Sequence, residues 1–443
     1  MKGSRAVCTL TIVVVFVIAK AASAQSITWI GGLSDRGSYP NAISADGLVV
    51  VGNSRNATGG RRAFRWEEGV MQDLGTLGGE SSDAYALSQD GRVIVGFSYD
   101  EGGNERSFRW EDGDMVDIGT LGGNESLAYG VSADGTVIVG ESLTSDNQGR
   151  AYRLTNGVFQ DIGTLNGMST GTRAVNDDGT VIVGSSRISG SVSHAYRWIN
   201  GSMQDLGSLN GTSEALGVSG DGTVVVGRSM TSEGVRAFRW TSGSGMQNLG
   251  VLTDGNLSQA NAASANGMVI IGFSRDHESE NRAVRWTESD GIELLNLVYE
   301  DLLADGSHLI VATDITPDGR FILGYGHNVT DNSFEGFILD TEESTGTSLV
   351  AETGLPDGYT LAQNYPNPFN PSTNISFALP ERAEVRLDVF DILGRQTASL
   401  IREEMEPGHH SVVFDAGALS SGMYIYRLQT GSKVLSRKMI LVK

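Results

Sequence analysis

Cysteine is almost absent. The single Cys8 lies in the apolar opening of the chain, so the rest can form neither a disulfide nor a thiolate metal site. Histidine is scarce, with six in 443 residues, and none stands in H-E-x-x-H or another close ligand spacing. Positive charge is short: 32 Lys and Arg face 53 Asp and Glu, for a formal charge of -21. Such a surface repels phosphate backbones and argues against nucleic acid as a partner. No apolar run of spanning length follows residue 24, so no transmembrane segment is expected in the mature chain. Amphipathic helical windows are also missing. Proline is thin until the end, where six of eight fall at or beyond Pro356.

The first 24 residues differ from all others. Lys2 and Arg5 precede the run "VCTLTIVVVFVIA", and "AASA" precedes Gln25. This order of charge, apolar stretch and small residues reads as a secretory signal peptide over 1–24. A transmembrane anchor fits less well, because the run is short and no stop-transfer flank follows.

The middle of the chain repeats itself. "DLGTLGG" at 73–79 returns as "DIGTLGG" at 117–123, "DIGTLNG" at 161–167 and "DLGSLNG" at 205–211. Seven Asp/Asn-Gly pairs, from Asp46-Gly47 to Asp318-Gly319, are spaced by 44, 44, 44, 43, 45 and 52 residues. A second landmark, "AFRW" at 63–66, recurs through "AVRW" at 283–286 and weakly as "GFIL" at 336–339. A catalytic motif is normally needed once, so a phrase repeated at fixed spacing belongs to an architecture. The Asp-Gly pairs between β-branched runs predict tight hairpins in which both turn residues take positive φ. Each unit then reads as four short strands, the size of one β-propeller blade. Two β-solenoid rungs per unit are the structural rival. Small residues on the first strand (Ala42, Ala86, Gly130, Ala174, Gly217, Ala262) suit the crowded centre of a ring. The expected fold is all-β: a seven-bladed β-propeller over 25–342, a linker at 343–363 and a small Ig-like β-sandwich over 364–443.

The seventh unit lacks an outer strand, and "SITWIGGL" at 26–33 has no blade of its own. Trp29 stands 44 residues before Asp73, in register with the repeat. Residues 26–31 are therefore expected to complete the last blade, Ile27 and Trp29 pairing with the strand around Phe337, because an open ring leaves an unpaired edge.

Two resemblances attach to these residues. The unit "DLGTLGG…A…S.DG.VVVG.S…AFRW..G.MQDLG" resembles the HAF extracellular repeat family over roughly residues 29–340, although the family's histidine survives only in His194-Ala195-Tyr196. That implies a secreted, propeller-like repeat protein and no agreed activity. "NYPNPFNPST", "DVFDILGRQ" and "SSGMYIYRL" resemble the C-terminal sorting domain of the type IX secretion system of Bacteroidetes-like bacteria, across 364–443. This implies the secretion machinery as a partner, export to the outside or the outer cell surface, and frequent removal of the domain itself. An ordinary Ig-like adhesion module is the alternative for this segment.

The search for chemistry yields three sets of residues. One Arg and one Asp per unit (Arg65, Arg109, Arg153, Arg197, Arg239 and Arg285; Asp73, Asp117, Asp161 and Asp205) form either a repeated structural ion pair or, less simply, a ring of ligand-binding arginines. Polar loops between second and third strands vary, and variation on a fixed scaffold marks recognition or tolerated drift. Their acids Asp100, Glu101, Asp146, Asp276 and Glu278 also raise Ca²⁺ as a ligand, without matching a calcium-loop pattern. "VGNS", "VGFS" and "VGES" are repeated strand ends and lack the form of a nucleophile elbow. "SADG" at 44–47 lacks the extra residue of a sialidase Asp box. No catalytic residue, cofactor or metal ligand is assigned. The reading is a secreted or cell-surface binding or adhesion scaffold without enzymatic activity, whose partner is surface polysaccharide or another protein. The alternative is an extracellular propeller hydrolase or lyase acting on polysaccharide, which would cluster carboxylates, His or Tyr at the channel mouth. No such cluster is visible in the sequence.

Overall fold

The computed structural model describes residues 25–342, apart from 167–168, and residues 359–441, apart from 362–363, 365–370, 392–394, 406, 418 and 432. The signal peptide expected over 1–24 and most of the linker expected over 343–363 lie outside the described residues. Two compact units result, Met1–Ser344 and Thr345–Lys443.

The first unit is a β-propeller built from four-stranded antiparallel sheets, seven of them among the described residues. Blades 1 to 6 occupy residues 38–73, 78–117, 122–161, 170–205, 213–248 and 258–294. Within each, the four strands follow chain order from inner to outer. Blade 7 takes its inner three strands from His308–Ile315, Phe321–Asn328 and Ser333–Asp340, and its outer strand from Ser26–Trp29. The register runs Ser26↔Asp340, Ile27↔Leu339, Thr28↔Ile338 and Trp29↔Phe337. The two ends of the propeller chain thus close the ring in one sheet.

Turn chemistry explains the repeat, with one correction. The Asp-Gly loops are not two-residue hairpins. Gly47 has φ +76°, but its aspartate does not share the left-handed region. The loop spans five residues because side chains hold it: Ser44 Oγ donates to Asp46 Oδ1 (2.6 Å), and Val49 N–H donates back to Ser44 Oγ (2.9 Å). The two-residue geometry sits instead between third and outer strands. There Glu68-Gly69, Asp112-Gly113, Asn156-Gly157 and Asn200-Gly201 all have positive φ, as a type I′ turn requires.

The seven-residue phrase is the crossing from one blade to the next. Asp73 Oδ1 accepts the Gly75 N–H (2.8 Å), and Gly75 has φ +80°. Ser98 Oγ accepts the Leu77 N–H (2.8 Å). Ser82 Oγ donates to Gly75 O (2.6 Å) and accepts the Ala63 N–H (3.0 Å). One buried serine therefore pins crossing, inner strand and third strand together, satisfying backbone groups that the turn takes out of the ladder. Apolar side chains fill the space between neighbouring blades, as with Val51, Ala63, Leu74, Ala84, Ile94, Phe108 and Trp110 between blades 1 and 2.

A belt of backbone hydrogen bonds joins the inner strands at their far ends. Ala45 N–H donates to Gln89 O, Gln89 to Ala133, Ala133 to Asp177, Asp177 to Gly220, Asp221 to Ala265 and Ala265 to Pro317. Pro317 has no N–H with which to continue the belt. The join between blades 7 and 1 rests instead on the strand 26–29 and on Asp314 Oδ2, which accepts the Ile43 N–H (3.0 Å).

Blade 6 leads to blade 7 through the long interval, which holds two short helical turns. Leu295–Val298 forms an α-turn and Glu300–Leu303 a 3₁₀ turn. Leu295, Tyr299 and Leu303 are buried, four residues apart on one face.

The second unit is a β-sandwich. A three-stranded sheet of Thr360–Leu361, Ser372–Leu379 and Gly408–Asp415 faces a four-stranded one of Gln396–Met405, Ala383–Asp391, Gly422–Thr430 and Lys433–Leu441. Ile375, Phe377, Leu387, Val389, Tyr426 and Met439 are among its core. Because Thr360 and Leu361 already pair with Ala378 and Phe377, the sandwich begins before the expected end of the linker at 363. Buried Leu361 is the physical reason.

Candidate binding site at the channel mouth

The inner strands line the central channel. Their start lies at the crossing end, together with the loops between second and third strands, as the pairing Gly78↔Asp100 fixes. A cavity of about 220 Å³ occupies this half of the channel. The small residues Ala42, Ala86, Gly130, Ala174, Gly217 and Ala262 form part of its wall. The residue before each of them also lines it: Asn41, Tyr85, Tyr129, Arg173, Leu216 and Asn261, with Thr313 in blade 7. Toward the belt the channel narrows through Ile43, Leu87, Val131, Val218, Ala263 and Ile315, which line a second space of about 140 Å³.

Three successive blades contribute a stack. Tyr85 and Tyr129 lie with ring centroids 5.0 Å apart, and the Arg173 guanidinium lies 4.7 Å from the centre of the Tyr129 ring. Phe97 lies against Tyr85 at 5.8 Å. Arg173 Nη1 donates to Glu141 Oε1 (2.9 Å) and Nε to Glu214 Oε1 (3.0 Å). Glu214 also receives Arg228 Nη2 (2.7 Å). Glycine at 171 makes room for this, since a Cβ there would stand 2.5 Å from Glu141 Oε1. Burial pushes the Glu141 carboxyl above its usual range against the pull of Arg173, and burial likewise raises the Tyr129 phenol.

Two further carboxyls sit in this region. Asp83 is fully buried beside Arg61, and its Oδ1 has no hydrogen-bond partner. Burial outweighs Arg61 and lifts Asp83 to about 6. Asp314 lies at the narrowing and accepts the N–H groups of Ile43 and Ile315, yet burial raises it also to about 6. A hollow of about 300 Å³ between blades 4 and 5 shares Glu214 and Arg228. Tyr85, Tyr129 and Arg173, the last held by Glu141 and Glu214, thus come together at the channel, a grouping that sequence reading does not find. It was hidden because it draws one residue from each of several distant units. Reading the units as columns at positions 41, 85, 129, 173, 216, 261 and 313 would have exposed it.

The residues singled out from sequence lie elsewhere. The expected pairing of the repeated Arg and Asp is corrected. Phe64 stands opposite Asp73, and Arg65 opposite Gln72, so strand alternation puts Arg65 and Asp73 on opposite faces. The partners of the aspartates are the residues three positions earlier: Arg62 for Asp73 (3.8 Å), Arg106 for Asp117 (2.9 Å), Arg150 for Asp161 (3.6 Å) and His194 for Asp205 (3.0 Å). His194 thus occupies an arginine's place. Arg109, Arg153 and Arg197 instead donate to Gly135 O, Gly179 O and Gly222 O of the following blade. Arg65 pairs with Glu67, Arg285 with Glu293, and Arg239 stands opposite Gln247. None of these arginines lines the channel cavity.

The loop acids brace their own loops. Asp100 Oδ1 accepts the Asn104 N–H, Asp146 accepts the Thr144 hydroxyl, and Asp276 accepts the N–H groups of Glu278 and Glu280 and the Arg282 guanidinium. Those hydrogen bonds lower the carboxyls of Asp100, Asp146 and Asp276. Glu101 and Glu278 stand on the same loops without joining them into one centre. Among the described residues, no group of three or more His, Cys, Asp or Glu is placed to hold a metal ion. No described helix is long and apolar enough to cross a membrane.

Comparison with curated proteins finds no match. Among solved structures, TolB from Acinetobacter baumannii is similar at 15% identity and TM-score 0.40, covering 68% of this chain and 65% of that one. PorZ of Porphyromonas gingivalis, a surface component of the type IX secretion system, is similar at 12% identity and TM-score 0.41, covering 93% and 59%. The β-propeller domain of the trilobed protease from Pyrococcus furiosus is similar at 10% identity and TM-score 0.49, covering 72% and 97%. This chain thus spans under two thirds of TolB and PorZ. At these scores the likenesses add nothing to function, and the strand order carries the fold. Residues 363–443 match the family described as "Secretion system C-terminal sorting domain". The C-terminal sandwich is a type IX sorting domain, and it addresses the chain to the extracellular space or the outer cell surface.

Proposed function

We propose that the propeller is a non-enzymatic binding or adhesion scaffold of the HAF repeat type, displayed outside the cell, with its ligand at the channel mouth. One observation carries this reading. The unit repeats its turns and crossings almost unchanged, while the channel-facing column reads Asn41, Tyr85, Tyr129, Arg173, Leu216, Asn261 and Thr313. A fixed frame with one varied inner ring is the pattern of recognition. The carboxylates Glu141 and Glu214 are both committed to Arg173, and the raised Tyr85 and Tyr129 phenols are poor bases. Surface polysaccharide or another protein is the partner class, and the sorting domain meets the secretion machinery. No cofactor is assigned. The test is capture of outer-surface material by the mature protein, with Arg173→Met alongside. Capture that survives the substitution unchanged would remove the mouth from the reading.

A second reading rests on a specific observation. Asp83 and Glu141 both carry raised carboxyls near Tyr85, Tyr129 and Arg173, and such shifts gather at catalytic centres. An extracellular hydrolase or lyase would use them. Release of products from polysaccharide by the purified protein, lost in Glu141→Gln, would establish it over the binding reading.

A further inference from the structure

We infer that the mouth takes the terminal residue of a neutral glycan, end-on, as a single sugar ring held by its hydroxyls. This deepens the proposed function and rests on it. Size is the first argument. A space of about 220 Å³ lies below the ~300–1,000 Å³ usual for drug-sized ligands, so it suits one ring. Depth is the second. Below the cavity the channel continues into a smaller space of about 140 Å³ lined by Ile43, Leu87 and Ile315 together with Gln89, Asp177 and Asp314, so a chain enters by an end and does not lie across. The hollow at Glu214 and Arg228 leaves room beside the mouth for the following residues.

Chemistry selects the ligand. Tyr129 lies between Tyr85 and Arg173, and Tyr85 has Phe97 against it. With their faces covered, the rings offer edges and hydroxyls, so neither a quaternary amine cage nor an aromatic stacking platform is available. Arg173 is already flanked by two carboxylates. The charged groups of the region are Asp83, Glu141, Glu214 and Asp314 against Arg61, Arg173 and Arg228, an acidic balance on an acidic protein that disfavours uronates and sulfates. What remains are phenols, a guanidinium edge, a carboxylate and the part of two amides that the fold does not use: Asn41 gives one N–H to Ala84 O (2.7 Å), and Asn261 gives one to Ala312 O (2.7 Å) and accepts Gln259 Nε2 (2.8 Å). Neutral hydroxyls match that set.

The test is a glycan array probed with the protein comprising residues 25–443, in wild-type form and as Tyr129→Phe and Asn41→Leu. Tyr129→Phe keeps the stack and removes one hydroxyl, so it should fold. Circular dichroism checks both variants. The expected result is binding to glycans with neutral terminal sugars, weakened about tenfold by either variant, and lost when the terminal residue is capped by a uronate or sialate. Free neutral monosaccharide at high concentration should compete. Binding confined to the free monosaccharide would overturn the chain-end assignment. Binding to acidic glycans that the same variants weaken would overturn the neutral-sugar assignment and leave the mouth as the site. Glycan binding that neither variant touches would overturn both this inference and the mouth reading.

Discussion

The crossings and the channel ring are two kinds of repeated position. At the crossings the same side chains recur and make the same bonds. Ser82, Ser126, Ser213 and Ser258 each donate to the glycine carbonyl of their crossing and accept an N–H of the preceding blade's third strand. In the channel the places recur but the chemistry does not. One step nearer the mouth than Asn41, Tyr85, Tyr129 and Arg173 stand Tyr39, Asp83, Leu127 and Gly171, again all different. Sameness marks what every blade needs in order to pack. Difference marks what only the assembled ring can use.

The largest break in this contrast is the clasp. Removal of residues 26–32 strips blade 7 of its outer strand, the Trp29–Phe337 contact and the Gly31 N–H bond to Glu335 Oε2 (2.8 Å). The belt offers no substitute at that join, because Pro317 cannot donate. Chemical denaturation should show a loss of about 4 kcal/mol or more, with aggregation through the open edge. A truncated chain that unfolds at the wild-type midpoint would mean that the ring does not depend on its clasp.

Next comes Arg173→Met. It leaves Glu141 and Glu214 facing each other's charge, with Glu214 still held by Arg228. A cost of about 2–3 kcal/mol is expected near pH 7. Adding Glu141→Gln should recover much of it, and a double-mutant cycle reads the coupling. Purely additive effects would show that the pair is not coupled.

Ser82→Ala tests the other side of the comparison. It orphans the Ala63 N–H and the Gly75 carbonyl, so about 1–3 kcal/mol should be lost. The equivalent change at Ser126 or Ser213 should cost a similar amount, since the bonds are the same. Glycan capture by the folded protein should not change. Unequal costs across blades would show that the crossings are less alike than their sequence.

Legibility in the sequence follows the same divide. The blades could be read because turn residues act locally, and a 44-residue period exposes them. The clasp could be read because Trp29 keeps that period with Asp73. The ion pairs were misassigned because alternation, not sequence proximity, decides faces: Arg62 and Asp73 share one and Arg65 does not. The site stayed hidden for a related reason. A bulge between Ala84 and Ala86 shifts the register of the inner strand, so simple alternation does not reveal that Tyr85 lines the cavity. The site's members also come from successive blades, Tyr85, Tyr129 and Arg173 standing 44 residues apart, where only the assembled ring brings them together.

A last effect, confined to one pH window, concerns Asp83, a varied position whose charge the fold tolerates poorly. Burial raises its carboxyl to about 6, although Arg61 beside it pulls the other way. An unfolded aspartate titrates near 3.9. Between about pH 4 and pH 6 the folded protein therefore holds a proton that the unfolded chain has released, and the contribution of Asp83 to stability falls as pH rises through that window. Above about pH 6 both states are ionised and the contribution is flat. Asp83→Asn removes this slope. Urea unfolding midpoints should show the variant gaining on the wild type from pH 4 to pH 6 and then holding a constant difference. The limit set by the shift is about 3 kcal/mol, and partial solvent access of Arg61, 48% exposed, weakens the opposing ion pair without cancelling it. A difference that moves in the other direction across this window would show that Arg61 dominates, that the Asp83 carboxyl is depressed, and that this ring position is another structural ion pair like those at the crossings.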